Sequence, residues 1–96
     1  MAKGDTRVAI ITGGAGGIGT AMARRMLVDG HRLALLDIDG DAAARVADTL
    51  NHEVGSNSVL GVAGDVSDPG QCDQAVSTVS DAFGQVDILV NNAGFG

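Results

Sequence analysis

The sequence predicts an α/β fold built on a parallel β-sheet. Four short apolar runs alternate with amphipathic segments of helical period, and glycine or polar residues separate the two kinds of segment. The chain has 96 residues, of which 45% are hydrophobic but only 2% aromatic, so its core has to be built from Val, Leu, Ile, Ala and Met. Those residues are typical of strands that are buried on both faces of a parallel sheet.

The first half of the chain predicts two strand–helix units. Residues 8–12 (VAIIT) form an unbroken apolar run, and the helix that follows the glycines is predicted to stop at Gly30. Residues 32–38 (RLALLDI) predict a second strand, and Asp41 is predicted to open a second helix. The apolar positions are Ile18, Ala21, Met22 and Met26 in the first helix, and Ala43, Val46, Ala47 and Leu50 in the second.

The second half repeats the alternation. Residues 59–63 predict a third strand, and residues 67–69 (SDP) combine a capping side chain with a proline suited to a first helical turn. The third helix, which Gly84 should end, has its apolar face at Cys72, Ala75, Val76, Val79 and Phe83. Residues 86–90 (VDILV) predict a fourth strand, which runs into the polar segment 91–94 (NNAG).

Parallel strands joined by right-handed helical crossovers predict a Rossmann-type doubly wound sheet with strand order 3-2-1-4. This order puts the first two helices on one face of the sheet and the third on the other. The winding reverses between the first and fourth strands, which opens a crevice at the carboxyl ends of the strands. We expect residues 1–96 to be a single domain that represents only the N-terminal part of such a fold, because complete versions have more strands.

Charge and composition exclude several classes of function. The net charge of −6 argues against nucleic acid or an anionic membrane surface as a partner. No apolar stretch is long enough to cross a bilayer, the N-terminus lacks a signal-peptide pattern, and the single cysteine cannot form an internal disulfide, so a cytoplasmic location is expected. We predict no metal site, because His31 and His52 are not clustered, and we expect Cys72 to be a buried structural thiol.

The turn after the first strand is rich in glycine and lies between a strand and a helix. The pattern G-x-G-x-x-G is matched by Gly14, Gly16 and Gly19, and the pattern T-G-x-x-x-G-x-G by Thr12, Gly13, Gly17 and Gly19. Small residues leave backbone N–H groups accessible to a pyrophosphate at the positive end of the helix dipole. The alternative is a tight turn without a ligand, but the flanking strand and helix favour a dinucleotide-binding loop.

Acidic residues follow the second and third strands. Asp37 comes 18 residues after Gly19, close to the separation of about 20 expected for the carboxylate that binds the adenosine ribose. Such a carboxylate repels the 2′-phosphate of NADP, and Gly16 supplies no cation to the loop, so NAD is favoured over NADP. Asp39 is a competing candidate for the ribose, and Asp37 could simply be a solvated charge. Asp65 could bind adenine or could cap a loop.

Taken together, residues 12–19, Asp65-Val66 and the segment 91–94 resemble the short-chain dehydrogenase/reductase family over residues 8–96, and the run VDILVNNAG most resembles its 3-oxoacyl-carrier-protein reductase-like branch. The resemblance implies that Thr12 and Asn91 brace the loop and the fourth strand. It also implies four sets of cofactor contacts. The loop contacts are Gly13, Ala15, Gly16, Gly17 and Ile18; the ribose contacts are Asp37 and Ile38; the adenine contacts are Asp65 and Val66; and the contact to the nicotinamide-side ribose is Asn92.

The resemblance further implies hydride transfer between a nicotinamide cofactor and a small carbonyl or alcohol substrate, with a homo-oligomer expected for the full-length protein. The family's proton-transfer groups are a Ser and a Tyr-x-x-x-Lys pair further along the chain. This sequence contains no tyrosine, and its only lysine is Lys3. We therefore assign no catalytic residue and expect these 96 residues to be inactive alone. The alternative function is a nucleotide-binding module without turnover.

Overall fold

A computed structural model describes residues 6–92 of the chain, and its elements alternate as the sequence predicts. The strands are Val8–Thr12 (β1), Arg32–Asp37 (β2), Val59–Ala63 (β3) and Ile88–Val90 (β4), and the helices are Gly17–Val28 (α1), Gly40–Val54 (α2) and Pro69–Phe83 (α3). Within residues 6–92, no helix has the length and apolar character needed to span a membrane. Ala93 and Gly94, which belong to the motif after β4, lie outside the described residues.

The four strands form one parallel sheet in the order β3-β2-β1-β4, which confirms the predicted topology. β1 lies in the middle, where Ile10 is paired with Ala34 of β2 and with Leu89 of β4. Every residue of β1 is buried, as expected for a strand covered on both faces. Because the strands are parallel, the segments that follow β1, β2 and β3 all emerge at the same edge.

Alternate side chains of the strands build a separate core on each face of the sheet. Helices α1 and α2 pack on one face of the sheet, and α3 packs on the other, as the doubly wound topology predicts. The first core contains Ala9, Ile11, Leu33, Leu35 and Val59 with Ala23 of α1 and Ala43, Ala47 and Leu50 of α2. The second contains Val8, Ile10, Ala34 and Leu36 with Ala75 and Val79 of α3.

The predicted apolar face of α1 is partly wrong. Ile18 is 69% exposed, and the buried residues of the helix are Gly19 and Ala23. A Cβ atom at Gly19 would come within 2.8 Å of the Gly13 carbonyl oxygen, so the helix begins in close contact with the preceding loop. Successive helical residues are about 100° apart, so Ile18 is turned away from the face that Gly19 presents to the loop.

Several predicted boundaries also differ from the structure. Helix α2 begins at Gly40 with Asp39 as its N-cap, not with Asp41, because an Asp39 carboxylate oxygen accepts from the Ala42 N–H at 3.0 Å. β4 is shorter than predicted and begins at Ile88. Cys72 is half-buried rather than fully buried. Gly30 and Gly84, the predicted stops of α1 and α3, have left-handed φ values of 87° and 83°.

Candidate functional site

The segments that follow β1, β2 and β3 surround a cavity of about 200 Å³ at the carboxyl edge of the sheet. Its lining residues are Gly13, Leu36, Asp37, Ile38, Gly64, Asp65 and Val66. Five of these seven are candidate site residues from the sequence, and the structure brings them together from three separate motifs. Leu36 and Gly64 were not predicted; Gly64 extends the ladder by donating its N–H to the Asp37 carbonyl oxygen at 3.0 Å.

Two glycines of the loop are required by the packing of the protein itself. A Cβ atom at Gly14 would lie 2.7 Å from the Cβ of Leu35, and one at Gly19 would lie 2.9 Å from the Cα of Gly14. Gly13 adopts a left-handed φ of 63°, which turns the chain sharply after β1. These positions therefore bring the loop close to the sheet and α1 close to the loop.

Two other glycines have no such internal reason to be small. A Cβ atom at Gly16 would be 3.5 Å from the Gly13 carbonyl oxygen, an ordinary contact, and one at Gly17 would have no neighbour within 4 Å. Both residues are exposed. Side chains here would occupy only the space outside the loop, so glycine at these positions keeps that space open for another molecule.

The N-terminus of α1 lacks a side-chain cap, and the Asp37 carboxylate binds one residue earlier, at the Ala15 N–H. Its N-cap, Gly16, has no side chain, and no acidic residue lies in the first turn. The first-turn amides of a helix have no partners within the helix, and its dipole favours a negative group at that end. This bare terminus beside an open loop fits the pyrophosphate of a dinucleotide.

Asp37 reaches from the end of β2 to the glycine loop. Its Oδ2 accepts a hydrogen bond from the Ala15 N–H at 3.1 Å, and its Oδ1 accepts one from the Asp39 N–H at 3.0 Å. The competing candidate, Asp39, uses its carboxylate to cap α2. The structure therefore brings the Asp37 carboxylate, rather than that of Asp39, to the loop.

Asp65 forms the opposite wall of the cavity and also stabilises its own turn. Its Oδ1 accepts hydrogen bonds from the Ser67 hydroxyl at 2.7 Å and from the Ser67 N–H at 2.9 Å. The Ser67 hydroxyl, followed by the Ser67 N–H, holds the pKa of the Asp65 carboxyl below its ordinary value. Both sequence-based alternatives for Asp65 are thus compatible, since it caps a loop and lines the cavity.

The end of β4 is tied to the glycine loop through a buried threonine. The hydroxyl of Thr12 accepts from the Asn92 N–H at 2.9 Å and lies 3.3 Å from both the Val90 carbonyl oxygen and Asn91 Oδ1. The Asn92 side chain donates to the Gly13 carbonyl oxygen at 3.2 Å. Asn92 also lines a second depression together with Ile18, on the α1 side of β4. The candidate residues therefore extend from one depression to the other across the loop.

The other polar candidates have structural roles. The Cys72 thiol donates to the Val66 carbonyl oxygen at 3.3 Å, and His31 Nδ1 accepts from the Arg7 N–H at 3.1 Å. Among residues 6–92, no three His, Cys, Asp or Glu side chains are grouped so that they could hold a metal ion.

Comparison with known proteins places this geometry in a family. The family model described as short chain dehydrogenase matches residues 7–96. A 2-(R)-hydroxypropyl-CoM dehydrogenase of Xanthobacter autotrophicus is 42% identical over 89 residues, which are 93% of this chain and 35% of that protein.

Two solved structures share the fold. A 3-ketoacyl-(acyl-carrier-protein) reductase from Brucella melitensis, complexed with NADH, has a TM-score of 0.83 and 41% identity over 94% of this chain and 35% of its own. An L-sorbose reductase from Gluconobacter frateurii, complexed with NADPH and L-sorbose, has a TM-score of 0.85 and 41% identity over 95% of this chain and 34% of its own. The chain thus spans about a third of the length of each of these three proteins. With its glycine loop, parallel sheet and matching sequence, the chain belongs to the short chain dehydrogenase family.

Proposed function

We propose that this chain is the cofactor-binding part of an NAD-dependent oxidoreductase that transfers a hydride between nicotinamide and a carbonyl or alcohol group of a small molecule. The observation that carries the proposal is the position of Asp37, whose Oδ2 lies 3.1 Å from the Ala15 nitrogen of the glycine loop. The carboxylate and the loop border the same cavity, so one ligand that carries both a ribose and a diphosphate can contact both.

Each part of the cofactor has candidate residues in this arrangement. The exposed loop and the first turn of α1 present backbone N–H groups to the pyrophosphate, Asp37 accepts hydrogen bonds from ribose hydroxyls, and the apolar side chain of Val66 covers one face of adenine. The proposed contacts are the backbone of Gly13, Ala15, Gly16, Gly17 and Ile18 for the cofactor at the loop, Asp37 and Ile38 for the ribose, Asp65 and Val66 for adenine, and Asn92 for the nicotinamide-side ribose. When bound, the cofactor supplies the hydride chemistry, and these residues bind and orient it.

The preference for NAD rests on charge. NADP carries an additional phosphate on the adenosine ribose, and Asp37 would bring a carboxylate close to that group. No lysine or arginine occurs in residues 12–19 to offset the repulsion. Relatives complexed with NADH and with NADPH share this fold, so the choice depends on local side chains such as Asp37.

Calorimetric titration with NAD and NADP tests the proposal. Wild-type protein should bind NAD more tightly than NADP. Asp37→Asn should lower the affinity for NAD by about tenfold or more, because a charged hydrogen bond acceptor is lost, and should reduce the discrimination against NADP. Asp41→Asn is the matched control, since it removes one carboxylate from the exposed first turn of α2 and should leave both affinities unchanged. Equal wild-type affinity for the two cofactors would overturn the NAD assignment.

A second candidate function is an adenine-nucleotide-binding module without turnover. It is favoured by the same geometry, because every candidate residue around the described cavity is proposed to bind or orient the nucleotide. Oxidation of reduced nicotinamide by the full-length protein, in the presence of a panel of carbonyl compounds, separates the two proposals. Turnover supports the oxidoreductase, whereas tight NAD binding without turnover supports the module.

A further inference from the structure

The segment that carries Asp65 and Val66 is attached to the first turns of α3. Gln71 Oε1 accepts a hydrogen bond from the Asp65 N–H at 2.8 Å. The thiol of Cys72 donates to the Val66 carbonyl oxygen at 3.3 Å. Two neighbouring residues of one helix therefore fix the backbone of both residues that form the outer wall of the cavity.

The orientation of Gln71 is itself determined by its partners. Its Nε2 donates to Asp68 Oδ2 at 3.2 Å, while Asp68 Oδ1 accepts from the Gly70 N–H at 2.9 Å as the N-cap of α3. A carboxylate requires a donor and a backbone N–H requires an acceptor, so only one orientation of the Gln71 amide satisfies both contacts. One orientation of the Gln71 amide therefore connects the α3 N-cap to the Asp65 backbone.

Asp65, whose backbone this link holds, has a carboxylate oxygen that can accept a hydrogen bond from a ligand. Asp65 Oδ1 is occupied by both donors of Ser67, whereas Oδ2 has no hydrogen bond within the described part of the chain. An ionised carboxylate only accepts hydrogen bonds. Facing a purine in the cavity, it would favour the exocyclic amino group of adenine and repel the oxo group of hypoxanthine.

We propose that Gln71 is a positioning residue for base selection: by holding the Asp65 backbone, it fixes the carboxylate that distinguishes an amino group from an oxo group on the purine. The inference rests on the proposed function, since it requires an adenine nucleotide in this cavity. Gln71 itself does not line the cavity, so its effect on the base acts through Asp65.

Titration with ADP and with IDP, which carry adenine and hypoxanthine on the same ribose diphosphate, tests this role. Wild-type protein should bind ADP about tenfold more tightly than IDP. The Asp65 carboxylate accepts a hydrogen bond from the amino group of adenine, whereas the oxo group of hypoxanthine places a second acceptor opposite it. Gln71→Leu should weaken ADP binding by about fivefold and leave IDP binding unchanged or stronger, because the carboxylate loses the position at which it accepts from an amino group and repels an oxo group. The matched control is Gln74→Leu, at an exposed glutamine of the same helix whose side chain makes no hydrogen bond within the described residues. It should behave as wild type.

The outcomes separate this inference from the proposal on which it rests. If wild-type protein binds neither ADP nor NAD, the proposed function fails and the inference fails with it. If wild-type protein binds NAD but does not distinguish ADP from IDP, or if Gln71→Leu weakens both nucleotides equally, only the role of Gln71 is overturned. Should Gln71→Leu not fold, Gln71→Met, which keeps the length of the side chain without its amide, is judged by the same ratio.

Discussion

The three helices of this chain begin in two different ways. Helices α2 and α3 start at Asp39 and Asp68, whose carboxylates accept hydrogen bonds from amides of their own first turns. Helix α1 starts at Gly16, which has no side chain to do so. An aspartate at this position typically stabilises a helix by about 1 kcal/mol relative to alanine. The helix that begins at the cavity edge thus forgoes a stabilising contact that the other two helices make.

The glycine loop is held instead by contacts on its inner side. Gly14 and Gly19 allow close packing against β2 and within the loop, and the Thr20 hydroxyl donates to the Gly14 carbonyl oxygen at 3.3 Å. The outer side, at Gly16 and Gly17, is left open. The chain therefore places its own carboxylates at the N-caps of α2 and α3, whereas the N-cap of α1 has none, as the proposed pyrophosphate contact requires.

The largest effect is expected when α1 receives an aspartate N-cap like those of α2 and α3. Gly16 has an extended backbone with φ −78° and ψ 170°, so Gly16→Asp fits without strain. We expect NAD affinity to fall by about 100-fold, because the new carboxylate takes the amides and repels the pyrophosphate. The free energy of unfolding, measured with urea, should remain equal or rise by a few tenths of a kcal/mol, roughly the difference between glycine and aspartate at an N-cap.

Gly16→Asn separates charge from bulk in that experiment. Asparagine caps helices about as well as aspartate but carries no charge. It should therefore stabilise α1 similarly and weaken NAD binding less than aspartate does. Unchanged NAD affinity in both variants would mean that the terminus of α1 does not bind the pyrophosphate.

The next largest effect should distinguish the inner glycines from the outer ones. Gly19→Ala places a methyl group 2.8 Å from the Gly13 carbonyl oxygen and should lower the free energy of unfolding by about 1–3 kcal/mol. Gly17→Ala meets no atom within 4 Å and should keep or slightly raise stability. Both variants should bind NAD more weakly, as measured by calorimetry. Equal losses of stability at the two positions would contradict the division of the loop into two sides.

Removal of an existing cap should affect stability without affecting the ligand. Asp39→Ala should lower the free energy of unfolding by about 1 kcal/mol in a urea titration, because the Ala42 N–H loses its acceptor. NAD affinity should stay within about twofold of wild type if Asp37 alone binds the ribose. Asp41→Ala, two residues further on, is the control for stability. A large loss of NAD affinity in Asp39→Ala would transfer the ribose role to Asp39.

Much of this arrangement follows from the sequence because it depends on local patterns. Strands and helices were predictable from apolar period, and the strand order from the handedness of the crossovers. The exposure of Ile18 was not predictable. A hydrophobic pattern does not count glycine as an inward-facing residue, whereas the close contact of Gly19 with the loop determines which side of α1 faces inward. Asp37 and Asp39 likewise competed for the ribose in the sequence, and the structure separates them by giving one a contact with the glycine loop and the other the N-cap of α2.

The sequence could not predict the contacts that depend on how the chain turns after each strand. Gly64 and Leu36 line the cavity, but each looks like an ordinary residue at the end of a strand. Gln71 carries no motif, and its importance depends on a 2.8 Å contact to a backbone group six residues earlier. Such roles require knowledge of how the turn before α3 folds back onto the helix.

The smallest expected effect concerns Asp65, whose carboxylate accepts hydrogen bonds from Ser67 in the turn before α3. Ser67 holds the pKa of Asp65 below its ordinary value, so the ionised form is favoured in the folded protein. The resulting stabilisation is complete above the ordinary pKa of an aspartate and is lost as the pH falls through the lower folded pKa. Ser67→Ala should raise the pKa of Asp65 toward its ordinary value, measured from the carboxyl carbon shift by NMR, while Ser77→Ala on the exposed face of α3 should not. An unchanged Asp65 titration in Ser67→Ala would mean that the hydroxyl does not bind this carboxylate. The available Oδ2, and with it the proposed selection for adenine, would then need a different explanation.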